Sequence, residues 1–260
     1  MNADDSGRAP DPHAAGPVLE PTLVESVVAQ GARGTVQATV LAQDSLVAEE
    51  FRFLSAKVRL IGETRPFRCI GVVSATAGEG KSTVALGLAG GLAREPGARV
   101  LLIEGDLKKP SLEGYLDLPR TNGVGEWLAG SLAPVPARKV SPHDFFLLSC
   151  GRTSLGRPEL LRSRRMAGLI QAARRSFDLV VVDCTPLIPV VDAVLLQDVL
   201  DGFLLVVRAR QSPRETIERA VERLKPDRIA GVIFNDRAEI LPSYDNYGYR
   251  RYGGRYGEGG

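Results

Sequence analysis

The chain has 260 residues, of which 44% are apolar and 25% charged, and its formal net charge is +2. That size and composition can build a full core in one or two domains, while so small a net charge supplies no basic field arguing for nucleic acid. No apolar run approaches the roughly 20 residues that cross a bilayer, and the acidic opening Met1-Asn2-Ala3-Asp4-Asp5 does not read as a secretory signal.

Residues 1–43 carry Pro10, Pro12, Pro17 and Pro21 with little apolar periodicity, which predicts a flexible arm. From Ser45 to Ile61, Leu46, Val47, Phe51, Leu54, Val58 and Leu60 recur at helical spacing. Apolar strands then alternate with amphipathic helices. Strands are predicted over Arg68–Ser74, Arg99–Glu104, Phe145–Cys150, Leu179–Cys184, Gly202–Val207 and Ile229–Phe234. Helices are predicted over Ser82–Arg94, Gly125–Leu128, Pro158–Arg174, Val191–Leu200 and Pro213–Leu224. Strands apolar nearly throughout suit a parallel sheet buried on both faces. With right-handed crossovers the alternation predicts an α/β fold, a doubly wound, mostly parallel sheet with helices on both faces, over residues 44–236. Residues 237–260 lose all periodicity and are expected to be a disordered tail. Cys69, Cys150 and Cys184 have no C-x-x-C spacing and read as reduced core residues of a cytosolic protein.

Between the first apolar strand and the helix after it lies Ala75-Thr76-Ala77-Gly78-Glu79-Gly80-Lys81-Ser82. A strand, a Gly-rich turn and a helix start with Gly-Lys-Ser at the junction read as a phosphate-binding loop. Gly78 and Gly80 let the backbone curl until its N–H groups converge on one polyphosphate. The helix adds orphan N–H groups and the positive end of its dipole. Lys81 is expected to reach the β- and γ-phosphates and the Ser82 hydroxyl to ligate Mg²⁺. Ala75 stands where the general G-x-x-x-x-G-K-[ST] pattern has its first glycine.

Ligands collect at the carboxyl ends of parallel strands, and two strands here end in acids. Val100-Leu101-Leu102-Ile103 runs into Glu104-Gly105-Asp106, and Leu179-Val180-Val181-Val182 runs into Asp183. Asp183 is expected to hold Mg²⁺, directly or through water. Asp106 is expected to contact Mg²⁺ or to accept a proton from an attacking hydroxyl. The competing reading is that each acid caps the turn that follows it. Glu104 is expected to support the site rather than act in it.

Together these segments resemble the bacterial tyrosine autokinases of capsule and exopolysaccharide synthesis, from about Leu46 to the C-terminus. Ala77-Gly78-Glu79-Gly80-Lys81-Ser82-Thr83 resembles that family's Walker A loop, and Val100–Lys108 its second acidic motif, D-x-D-x-R, here with Glu104 and Lys108 as departures. Val180-Val181-Val182-Asp183-Cys184-Thr185-Pro186 resembles its Walker B, followed at the family's distance by Val190-Val191-Asp192-Ala193. Gly231-Val232-Ile233-Phe234-Asn235 resembles its last strand. The resemblance implies a cytoplasmic kinase that uses ATP and Mg²⁺. Ala77, Gly78, Glu79, Gly80, Lys81, Ser82 and Thr83 would hold the phosphates, Thr83 would touch the α-phosphate, and Asn235 would approach the adenine. Lys81, Asp106 and Asp183 would be catalytic, with Ser82, Asp106 and Asp183 around the metal. It also implies a membrane-spanning chain-length regulator as partner, a cognate tyrosine phosphatase, and peripheral placement at the inner membrane face through that partner. Homo-oligomers are expected, although in the family's E-x-x-R-x-x-R ring motif Glu49 and Arg52 are present and Ser55 replaces the last Arg.

Five of the six tyrosines lie from Tyr244 onward: Tyr244, Tyr247, Tyr249, Tyr252 and Tyr256, among glycines and arginines. Such a segment cannot build a core. On a nucleotide-binding domain it reads as a phosphoacceptor tail that enters another subunit's site. By itself it would read as a low-complexity tail touching RNA or other disordered chains. Two further readings stand beside the kinase. One is a partition- or division-site-type switch ATPase, which usually has a Lys where this loop has Thr76 and lacks a terminal tyrosine cluster. The other is a nucleotide-binding adaptor without kinase activity, which the altered acidic motif at Glu104 admits.

Overall fold

The computed structural model describes residues 19–24, 40–41, 45–65, 67–131, 135–141, 143–152 and 158–236. Its centre is an eight-stranded sheet. The strands are β1 (Leu19–Val24), β2 (Cys69–Ser74), β3 (Val100–Glu104), β4 (Val135–Val140), β5 (Phe145–Leu148), β6 (Leu179–Asp183), β7 (Gly202–Arg208) and β8 (Ile229–Asn235). Their order across the sheet is β1-β4-β5-β3-β6-β2-β7-β8. β4 pairs antiparallel with β5, and β1 pairs parallel with β4, so these two run against the other six.

The six expected strands are all present. β4 escaped the sequence reading because Val135-Pro136-Ala137-Arg138-Lys139-Val140 mixes a proline and two cations into a short run. Arg138 is buried there, and its guanidinium pairs with the Glu113 carboxylate at 2.6 Å, which makes a buried cation tolerable.

The helices are α1 (Leu46–Thr64), α2 (Lys81–Leu92), α3 (Leu112–Tyr115), α4 (Val124–Ala129), α5 (Arg164–Ser176), α6 (Asp192–Leu195) and α7 (Arg214–Val221). Ser45 caps α1 by accepting the Ala48 N–H at 3.1 Å. The helix expected over Pro158–Arg174 divides into a 3₁₀ turn, Pro158–Arg162, and α5. The division falls at Ser163, whose hydroxyl accepts the Met166 N–H and starts a new helix. The helix expected over Val191–Leu200 shrinks to the single turn α6.

Apolar side chains fill both faces of the sheet. On one, Leu101, Ile103, Val180, Val182 and Leu205 meet Trp127 of α4, Met166 and Leu169 of α5 and Ala220 of α7. On the other, Val72, Leu102 and Val181 meet Leu86 and Leu88 of α2 and Val58 of α1. α2 is buried almost all round because α1 covers it from outside. Cys69, Cys150 and Cys184 are buried free thiols, and burial pushes each above its ordinary value, Cys150 to about 12.

Two pieces of residues 1–43, the expected flexible arm, have a place. Leu19–Val24 form β1, and Val40 and Leu41 are buried against the α2 side. The rest of that stretch and the tail 237–260, with Tyr244, Tyr247, Tyr249, Tyr252 and Tyr256, lie outside the described residues. Among the described residues no helix is long and apolar enough to cross a membrane.

Candidate active site

β6 lies between β2 and β3, so the turns leaving the carboxyl ends of these strands meet at one edge of the sheet. After β2 comes the glycine-rich loop; after β3 come Gly105 and Asp106; β6 ends in Asp183 itself. Cβ-free packing sets their spacing. The Gly105 N–H donates to the Asp183 carbonyl at 2.7 Å, and a Cβ on Gly105 would stand 2.9 Å from that same oxygen.

In the loop, Gly78 (φ +85°) and Gly80 (φ +93°) occupy the left-handed region that other residues resist. Gly80 is the N-cap of α2. No acceptor among the described residues takes the N–H groups of Ala77 through Ser82. They are a set of orphan donors at a helix start, backed by its dipole, which is what a polyphosphate requires.

Lys81 heads α2 with its Nζ 3.1 Å from Oδ2 of Asp106. Burial alone would lower the amine, but the charges of Asp183 and Asp106 outweigh it and hold Lys81 above its ordinary value. It therefore stays cationic at neutral pH. Asp106 is buried, and its other oxygen accepts the Lys109 N–H at 3.0 Å.

Asp183 is 1% exposed, and among the described residues neither of its oxygens makes a hydrogen bond of ordinary geometry, although the neighbouring Ser82 hydroxyl helps to pull its carboxyl down. Burial pushes this carboxyl up to about 7, with the Lys81 charge pulling it down. An unsatisfied buried group of this kind costs about 1–3 kcal/mol or more. Its retention beside Lys81, Asp106 and the buried Ser82 fits a site that binds something cationic there. Two carboxylates and a hydroxyl are hard oxygen donors that suit Mg²⁺. Among the described residues no group of three or more His, Cys, Asp or Glu side chains converges. Such a partial set suits Mg²⁺, whose shell phosphate oxygens and water normally complete.

Glu104 is fully buried and stays out of this cluster. Its carboxylate accepts the N–H groups of Ser111, Leu112 (2.7 Å) and Cys150 (2.9 Å). Burial pushes its carboxyl up and those three N–H groups pull it down, with a net rise. It caps α3 and ties the end of β3 to the end of β5, the supporting role expected of it. Lys108 pairs with the buried Asp192 at 2.9 Å, joining the turn after β3 to the segment after β6.

Thr83 lies half-buried in the first turn of α2. Asn235 donates its side-chain N–H to the Glu79 carbonyl at 2.9 Å, so its amide sits on the loop itself. The Glu79 carboxylate accepts the Thr76 N–H at 2.7 Å and the Ser212 hydroxyl. Only its backbone N–H remains for a ligand. Sequence reasoning missed Ser212 and also Arg208, which donates to the Gly78 carbonyl at 3.3 Å and pairs with Asp236 at 2.7 Å. The available signal was position: both residues lie at or just after the end of β7, the strand beside β2. A separate concavity of about 210 Å³ opens at the far end of α2, lined by Leu41, Phe51, Arg94 and His143 among others; none of the motif residues reaches it.

A family profile for the CobQ/CobB/MinD/ParA nucleotide binding domain matches residues 70–241. The tyrosine-protein kinase YwqD of Bacillus subtilis (strain 168) is 31% identical over 208 residues, covering 79% of this chain and 86% of that protein. The succinoglycan biosynthesis transport protein ExoP of Rhizobium meliloti (strain 1021) is 37% identical over 199 residues, which is 74% of this chain and 25% of that protein. The solved kinase domain of the Escherichia coli tyrosine kinase ETK superposes with a TM-score of 0.71 at 27% identity, covering 80% of this chain and 84% of that one.

Proposed function

Because the chain belongs to the CobQ/CobB/MinD/ParA nucleotide-binding family, and within it to the bacterial tyrosine-protein kinases, we propose that it transfers the γ-phosphoryl group of ATP to its own tail tyrosines. The acceptors are Tyr244, Tyr247, Tyr249, Tyr252 and Tyr256, presented by a neighbouring subunit. The observation that carries this reading is the Lys81–Asp106 pair beside the unbonded Asp183, at the mouth of a loop with open N–H groups.

The N–H groups of Ala77 through Ser82 bind the phosphates, and Lys81 neutralises the β- and γ-oxygens. Ser82, Asp106 and Asp183 would hold Mg²⁺, which when bound would supply charge neutralisation on the transferring phosphoryl group. Drawing Lys81 onto the phosphates releases Asp106 from its ion pair. Asp106 then takes the proton of a tyrosine hydroxyl, whose ordinary pKa is about 10. A tyrosine O–P bond forms, the bond from the γ-phosphorus to the β-phosphate oxygen breaks, and ADP leaves. Positioning and charge stabilisation do most of this work.

An oligomer is supported by α1, where Leu46, Phe53 and Leu60 are exposed at seven-residue intervals beside the Glu49–Arg52 pair. Each tail phosphate adds roughly −1.5 to −2 charge and would loosen such an assembly. A role in exopolysaccharide synthesis is supported by the likeness to ExoP, a succinoglycan biosynthesis transport protein of which this chain spans a quarter. A membrane-spanning chain-length regulator and a tyrosine phosphatase are the partners that this reading proposes.

Incubation of the purified chain with labelled ATP and Mg²⁺ tests the reading. Label on tyrosine is expected, and it disappears when the five tail tyrosines are replaced by Phe. Free phosphate without tyrosine label would instead identify a switch ATPase, and neither product would identify an adaptor.

A further inference from the structure

The phosphate loop contains an acid that the chemistry above does not use. Glu79 is 0% exposed and sits between two glycines in left-handed backbone. One of its oxygens accepts the Thr76 N–H at 2.7 Å, which closes the loop across three residues. The other accepts the hydroxyl of Ser212, in the turn between β7 and α7. Two more contacts reach the same stretch from outside: Arg208 on the Gly78 carbonyl at 3.3 Å, and Asn235 on the Glu79 carbonyl at 2.9 Å.

A carboxylate with no access to water is costly unless it is bonded, and donors to a charged acceptor make the stronger class of hydrogen bond. A loop that merely had to curl would need no such group. A loop that must keep its N–H groups convergent before a ligand arrives gains from a fixed internal acceptor, because preorganisation appears directly as affinity. The outer anchor of that acceptor is one hydroxyl, 133 residues away in sequence.

We propose that Glu79 and Ser212 are positioning residues for the phosphate site. Ser212, acting through Glu79, locks the loop in the shape that presents its N–H groups, so that MgATP meets a formed cradle. The inference rests on nucleotide binding alone and does not need tyrosine as the acceptor.

The test is a titration of the full chain with a fluorescent ATP analogue in Mg²⁺, with melting curves taken without ligand. Ser212→Ala should bind about five- to tenfold more weakly, the net scale of one intramolecular hydrogen bond. Ser212→Thr keeps the hydroxyl and should bind within about twofold of the unaltered chain, a rescue that a packing role for Ser212 would not give. Glu79→Gln should also weaken binding. Combined with Ser212→Ala it should weaken it by less than the product of the two single effects, because both act through one contact. Unchanged affinity in Ser212→Ala, equal weakening in Ser212→Thr, or fully multiplicative losses would each overturn the proposal. Because the readout is binding, loss of the kinase reading would leave this result interpretable.

Discussion

Asp183 is buried with neither oxygen in a hydrogen bond of ordinary geometry among the described residues, and burial pushes its carboxyl up to about 7 from an ordinary 3.8. The folded chain therefore holds a proton that the unfolded chain has already released over most of that interval. Stability from this group is fully present below the unfolded value and is lost as pH rises through about 7. Without metal or nucleotide, Asp183→Asn should melt increasingly above the unaltered chain between about pH 5 and about pH 8, by roughly 2 kcal/mol in all. A constant gap across that range would show that Asp183 is ionised throughout. The identity of Asp183 was legible because an apolar strand ended on it. Its unbonded state was not, since that depends on where Lys81, Asp106 and Ser82 come to rest. Glu79 makes the same point from the other side. Its place in the loop was plain, but its carboxylate faces Thr76 and Ser212.

At the scale of elements, the close fit of α1 on α2 sets where the loop's helix sits. Ser55 is buried with its hydroxyl donating to the Phe51 carbonyl at 2.7 Å. A Cβ on Gly91 of α2 would meet that hydroxyl and would lie 3.0 Å from the Phe51 carbonyl. The absence of an Arg at position 55 thus has a local reason, because the site faces α2 and would bury a guanidinium. Gly91→Ala should destabilise the chain by about 1–3 kcal/mol, read as a lower denaturant midpoint with an unchanged slope. A midpoint equal to that of the unaltered chain would mean the two helices can part at no cost. Helical spacing marked α1 without difficulty. It misjudged α5 and α6, because a serine cap and a tight turn end helices whose apolar pattern continues.

For the molecule as a whole, the proposed transfer to the tail of a neighbouring subunit can be tested directly. The tail follows Asp236, which pairs with Arg208, itself bonded to the loop at Gly78. Tyr244 is eight residues farther on, an extended reach of roughly 27 Å, so chain length alone does not forbid transfer within one subunit. Mixing a Lys81→Met chain, which keeps its tail, with a chain whose five tail tyrosines are Phe separates the cases. Transfer between subunits puts label on the Lys81→Met chain, whereas transfer confined to one subunit leaves both unlabelled. The sequence alone determined the phosphate loop, the acids that end β3 and β6, the α/β class and the tyrosine-rich tail. Each of these is written in contiguous residues whose local pattern carries the physics. Only the tertiary structure decided that β6 lies between β2 and β3, that Glu104 braces while Asp106 meets Lys81, that Asp183 is left unbonded, and that Ser212 holds Glu79. These follow from strand order and from contacts between residues far apart in the chain, which no local pattern encodes.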